Sequence, residues 1–161
     1  SAEGLSSVVT TRHNGVSPSM GVAMAIELNP YLNFRDTARA AMEFYHSIFG
    51  GELTVSTFGD FHATDDPAEE GKVMHAALVG ETGVRIMAAD VPNRMDFAPA
   101  QGFSVSLTGA AADGETLRRY WTALCDGGQV TMPLDVAQWG DTFGMCVDKF
   151  GINWLVNIAA A

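Results

Sequence analysis

Basic residues are scarce in this chain. Nine Lys and Arg stand against 19 Asp and Glu, a formal charge of −10 over 161 residues. A nucleic-acid binder needs clustered cations to meet phosphates, so this balance argues against that class. Long apolar runs are missing as well. No stretch approaches the roughly 18–20 residues that span a bilayer, and no basic amphipathic segment suits a membrane surface. Cysteine is nearly absent. Cys125 and Cys146 form no CxxC pair, sit in apolar patterns and read as buried, reduced thiols of a cytoplasmic protein. A leader is not expected either, since Arg12 and His13 run into Asn-Gly and Ser-Pro instead of an apolar stretch. The four histidines show no HxH or HxxxH spacing.

What is present is a globular composition, 47% apolar and only 17% charged. A chain of this size buries about 70% of its unfolded surface and needs no disulfide to hold a core. It makes one domain, or two small fused halves. Residues 1–24, rich in Ser, Thr, Gly and Val without a period, read as a flexible N-terminal tail. From there the pattern sharpens. Leu28, Pro30, Leu32 and Phe34 alternate with Asn29, Tyr31 and Asn33, as a half-buried strand does. Asp36 or Thr37 is expected to cap a helix running to Phe49, with Ala38, Ala41, Met42, Tyr45, Ile48 and Phe49 on one stripe. Gly50-Gly51 ends it. Strands are expected at about 52–59, 72–80 and 83–89, the last two joined by a turn at Gly80–Gly83, with an acidic loop at 60–71.

The same order recurs. Phe103, Val105 and Leu107 alternate with Ser104, Ser106 and Thr108. A helix follows over Asp113–Cys125 with Leu117, Tyr120, Trp121 and Leu124 inward, then Gly127-Gly128, then strands at about 129–132, 142–148 and 152–158. Asn29 corresponds to Ser104, Gly50-Gly51 to Gly127-Gly128 and Gly83 to Gly151, an offset of about 70–77 residues that marks an internal duplication. The expected class is α+β, with a first βαβββ module over 25–90, a linker over 91–101, a second module over 102–158 and a short tail at 159–161.

The segments Asn29–Phe34, Glu43-Phe-Tyr-His-Ser-Ile-Phe-Gly-Gly-Glu52, Trp139-Gly-Asp-Thr-Phe-Gly-Met145 and Asp148-Lys-Phe-Gly-Ile-Asn-Trp154 together make the chain resemble the vicinal-oxygen-chelate superfamily. This is the glyoxalase, bleomycin-resistance and dioxygenase group, and the closer resemblance is to its PhnB-like branch, which carries a 3-demethylubiquinone methyltransferase label. The resemblance implies curled mixed sheets around a ligand cleft, commonly in a homodimer. It also implies that a metal, where one is used, is held on the first and last strand of each module. By the internal repeat those positions are Asn29, Met87, Ser104 and Leu155. They offer no imidazole or carboxylate, so no metal and no other cofactor is expected, a divalent ion being the disfavoured alternative. A register slip of one residue does not improve the set. The methyltransferase label finds no glycine-rich loop after a strand with an acidic partner.

The polar alternation instead predicts a hydrogen-bonding surface of Asn29, Tyr31, Asn33, Arg85, Ser104, Ser106, Thr108, Asn153 and Asn157, with Met87 and Leu155 between, suited to a small polar–apolar ligand. Arg85 can hold an anion. His75, on the third strand, is the best of the histidines for proton chemistry. Asp141 and Glu52 are the carboxylates that could accompany it. Asp141 and Asp148 also read as turn formers, Trp139 and Phe143 as aromatic walls or core, and Trp154 as core. Two functions compete: a metal-free small-molecule binding protein, and a lyase, isomerase or dioxygenase-type enzyme with a displaced metal site.

Overall fold

The computed structural model describes residues 25–161. The expected tail, with His13, lies outside them. Two open four-stranded sheets follow each other along the chain. The first is built from β1 (Tyr31–Phe34), β2 (Glu52–Thr57), β3 (Val73–Val79) and β4 (Arg85–Asp90), in the order β1-β4-β3-β2, with α1 (Ala38–Phe49) between β1 and β2. The second repeats the plan with β5 (Val105–Gly109), β6 (Gln129–Val136), β7 (Thr142–Val147) and β8 (Asn153–Ile158), in the order β5-β8-β7-β6. A 3-10 turn at Ala111–Asp113 leads into α2 (Gly114–Cys125). In each sheet the first strand runs parallel to the last and the remaining pairs are antiparallel.

The repeated plan extends to the turns. Gly51 and Gly128 stand just past the two helices, and a Cβ on either would lie 1.9 Å from the Val79 carbonyl oxygen or 2.2 Å from that of Val147. The two late turns also match. Gly80 N–H donates to Val84 O and Gly83 N–H to Gly80 O, while Asp148 N–H donates to Ile152 O and Gly151 N–H to Asp148 O. Gly83 and Gly151 take φ of 84° and 87°, a conformation that favours glycine.

Several expected boundaries shift for physical reasons. The first strand begins at Tyr31, not Leu28: Pro30 has no N–H to give the ladder, and Leu28 is 93% exposed. Asn29 and Ser104 therefore precede their strands. Neither Asp36 nor Thr37 caps α1. Asp36 adopts φ of 71° and its carboxylate pairs with Lys72 Nζ at 2.7 Å, while the Ala38 N–H donates to Asp90 Oδ1 from the end of β4. The sixth strand does not stop before Pro133 but continues to Val136, with one register shift between Val130 and Met132 and another spanning Pro133, between Met132 and Asp135. It is an edge strand, where a missing N–H is tolerated.

One face of each sheet is covered by its helix. Leu32, Phe34, Ala76, Leu78, Ile86 and Ala88 point to α1, and Trp154, Val156 and Ile158 join Leu117, Tyr120 and Leu124 of α2. These form a single core, because the two helices meet. Phe49 of α1 packs edge-on against Tyr120 of α2 at 4.9 Å between ring centroids and also touches Trp154 of β8. Tyr45 packs on Trp154 too, and Phe44 on Phe150. The helix-covered backs of both sheets thus share one core, and among the described residues the opposite fronts carry the exposed positions Tyr31, Asn33, Ser106 and Thr108. Among the described residues, no helix is long and apolar enough to cross a membrane.

Candidate functional site

The two fronts carry most of the residues expected to meet a ligand. On the first sheet, Tyr31 stands opposite Met87, and Asn33 opposite Ala89. Both Tyr31 and Asn33 are exposed while their neighbours Leu32 and Phe34 are buried, as strand alternation requires. His75 lies on the same front. Its Nδ1 is 3.1 Å from Tyr31 Oη, and the two rings stack with centroids 5.7 Å apart. Partial burial raises the Tyr31 phenol above its ordinary pKa. Arg85, expected to receive an anion, is bound at 3.0 Å by Glu27, so much of its charge is already met. On the second sheet, Ser106 pairs with Leu155, Thr108 with Asn157, and Asn153 with Val147.

Within one chain these residues form two separate sets. The proton-transfer candidates are also dispersed. Glu52 pairs with Val79 while Ser56 pairs with His75, which separates Glu52 from His75 by four residues along the ladder, about 13 Å at ~3.3 Å per residue. Asp141 belongs to the other sheet. There it accepts from Asn157 Nδ2 at 3.1 Å and from the Ala160 N–H at 3.0 Å. Those two bonds hold its carboxyl below the usual carboxylate range. Trp139 is 63% exposed at the β6–β7 turn and packs on Phe143, 5.4 Å between centroids. Trp154 is fully buried.

The donor chemistry does not fit a catalytic divalent ion at the superfamily's usual place. Because Asn29 and Ser104 precede their strands, the residues facing Met87 and Leu155 are Tyr31 and Ser106. A protonated phenol, a thioether, a hydroxyl and an alkyl group make a poor donor set. Among the described residues no three His, Cys, Asp or Glu side chains converge. A nucleoside-type methyl donor fits no better. The β1–α1 connection, Arg35–Thr37, carries no glycine, and the first amide of α1 is already taken by Asp90. A cavity of about 200 Å³ lies where the modules meet, beside Thr82, Leu107, Asp113 and Tyr120. That is below the ~300 Å³ of ordinary ligand pockets, and of the front residues expected to meet a ligand only Thr108 lines it.

Two features escape sequence reading. Asp148 was legible as a turn residue, but its carboxylate also accepts from Tyr45 Oη at 2.6 Å and Trp154 Nε1 at 2.8 Å, contacts that local pattern cannot supply. Asp135, which pairs with Phe143 across β6 and β7, lies beyond the expected end of that strand at about 132.

Comparison with known proteins agrees with this architecture. The family model described as 3-demethylubiquinone-9 3-methyltransferase matches residues 26–157. The crystal structure of protein PA1353 from Pseudomonas aeruginosa is 34% identical, covers 85% of this chain and 100% of its own, and superposes with a TM-score of 0.73. A PhnB protein from Bacillus cereus is 27% identical, over 83% of this chain and 100% of its own, with a TM-score of 0.63. A member of the glyoxalase/bleomycin resistance protein/dioxygenase superfamily from Sphaerobacter thermophilus, at 15% identity over 83% of this chain and 98% of its own, shares the fold with a TM-score of 0.52. The chain belongs to the 3-demethylubiquinone-9 3-methyltransferase-like, or PhnB-like, family of the glyoxalase/bleomycin-resistance fold.

Proposed function

We propose that this protein is a small-molecule binding protein that works as a homodimer and needs no metal. The observation that carries the reading is the outward placement of both sheet fronts. Each presents polar and apolar side chains in alternation, and the exposed positions Tyr31, Asn33, Ser106 and Thr108 leave both fronts open among the described residues. Val79, Met132 and Trp139 are between 40% and 63% exposed, a large apolar area for a lone chain. A second copy would close two equivalent clefts, each with the first sheet of one chain and the second sheet of the other. Tyr31, Asn33, His75, Arg85 and Met87 would then face Ser106, Asn153 and Leu155 of the partner copy across a ligand. The free thiols suit a reducing, cytoplasmic compartment.

A second reading is favoured by one contact. The Tyr31–His75 bond fixes the imidazole on the cleft front and leaves its Nε2 to meet a substrate, which is what a general acid or base needs. Sedimentation equilibrium and a thermal-shift ligand panel test the preferred function. The expected results are a mass twice the 17.1 kDa chain and a melting temperature raised by at least one small ligand, without metal and after chelation. A single-chain mass at micromolar concentration, or stabilisation only by a divalent ion that is lost in His75→Ala, overturns it.

A further inference from the structure

The β6–β7 turn holds an indole in solvent without leaving it loose. The Ala137 N–H donates to Asp141 O and the Gly140 N–H to Ala137 O, closing the turn, while the Trp139 ring rests at 70° against Phe143. Phe143 lies on the front of the second sheet, between two carboxylates. Asp135 faces it across β6, and on its other side Asn157 of β8 binds Asp141. No Lys or Arg pairs with either carboxylate, and no cation sits on either ring, among the described residues. None of the strands of this sheet carries a basic residue at all.

We infer that Trp139, Phe143, Asp141 and Asp135 form a subsite for an organic cation, of the quaternary or otherwise weakly hydrated ammonium class. Charge complementarity supports this assignment. Aromatic faces attract cations, indole most strongly, and the attraction is worth most for ions that shed water easily. Carboxylates beside the rings supply the full charge, and a chain of formal charge −10 concentrates cations around it. A small inorganic cation would gain little here, because the rings cannot replace its hydration shell and the carboxylates do not converge. The inference deepens the cleft reading and rests on it for the rest of the ligand's surroundings. The subsite itself belongs to one chain.

The test uses the full chain and two probes of equal shape, choline and its neutral isostere 3,3-dimethylbutan-1-ol. The readout is the Trp139 indole N–H resonance, assigned from Trp139→Phe. Choline is expected to shift that signal saturably, and the alcohol to bind about tenfold more weakly or worse. Asp141→Asn removes the charge, keeps an oxygen for one of its two N–H donors and should weaken choline by about fivefold or more, with a smaller change for the alcohol. Asp135→Asn, on an exposed edge, serves the same purpose should Asp141→Asn disturb other resonances. Equal binding of the two probes, or no shift with choline, overturns the inference. The solution mass and the thermal-shift panel, taken on the same samples, report on the cleft independently, so a dimer stabilised only by neutral ligands would sink the cation subsite and leave the cleft standing.

Discussion

Tyr45, on the first helix, donates a 2.6 Å hydrogen bond to the carboxylate of Asp148, 103 residues further along the chain. Asp148 is 3% exposed and its charge is fully met, since Trp154 Nε1 and the N–H groups of Phe150 and Ile152 donate to it as well. Tyr45→Phe is expected to cost about 1.5–3 kcal/mol, the range for a hydrogen bond to a charged group. Asp148→Ala should cost more, because it strands four donors, three of them buried. Urea unfolding midpoints check both.

The same bond sets a pH dependence. Burial, and then the Asp148 charge, push the Tyr45 phenol well above its ordinary value of about 10. The folded state keeps a proton that the unfolded chain loses, so stability is fully present below that value and falls as pH rises beyond it. In Tyr45→Phe the alkaline loss should be shallower. Unfolding free energies measured on either side of pH ~10 check the slope.

Asp90 holds the start of α1 and the start of β3, accepting from the Ala38 N–H at 3.0 Å and the Val73 N–H at 2.9 Å. Asp90→Ala leaves two amides without their acceptor and should cost more than about 2 kcal/mol. Thr37→Ala, at the position that looks like the cap, should change stability by less than about 0.5 kcal/mol. Thermal melts of the two variants side by side decide the matter.

The duplicated glycines give a paired prediction. Gly51→Ala and Gly128→Ala each drive a methyl into a backbone carbonyl and should destabilise by well over ~1 kcal/mol. Gly83→Ala meets nothing within 4 Å and should cost only the left-handed backbone penalty, about 1–2 kcal/mol. Equal melting temperatures for Gly83→Ala and Gly51→Ala would contradict this.

The thiols should be slow to react in the folded protein. Burial pushes Cys146 up to about 12 and raises Cys125 as well, so both are neutral at physiological pH. Iodoacetamide labelling is expected to be slow at pH ~7 and to accelerate as pH rises towards the thiol range. Mass spectrometry with and without denaturant checks it, and fast native labelling of Cys146 at neutral pH would refute it.

Much of the fold was legible because its signals are local. The stripe from Ala38 to Phe49 lies on one helix face, Gly50-Gly51 marks its end, and strand alternation separated Leu32 and Phe34 from Tyr31 and Asn33. What was hidden depends on distant partners. Nothing near Thr37 tells that Asp90 will satisfy the helix, and nothing near Asp148 announces Tyr45. The strand expected at about 129–132 runs on through Pro133, and that tolerance depends on its lying at a sheet edge, which is a property of the assembled sheet. The candidate site was legible in parity but not in place. Alternation put the polar residues on one face of each sheet, whereas which faces meet is decided by Phe49, Tyr45 and Trp154 packing across the modules.

That aromatic knot has a consequence for the backbone between residues 91 and 101. Because Phe49, Tyr45 and Phe44 grip Tyr120, Trp154 and Phe150, the segment joining the halves serves as a leash and not as the glue. A protease that nicks it would produce two fragments that travel together until denaturant parts them.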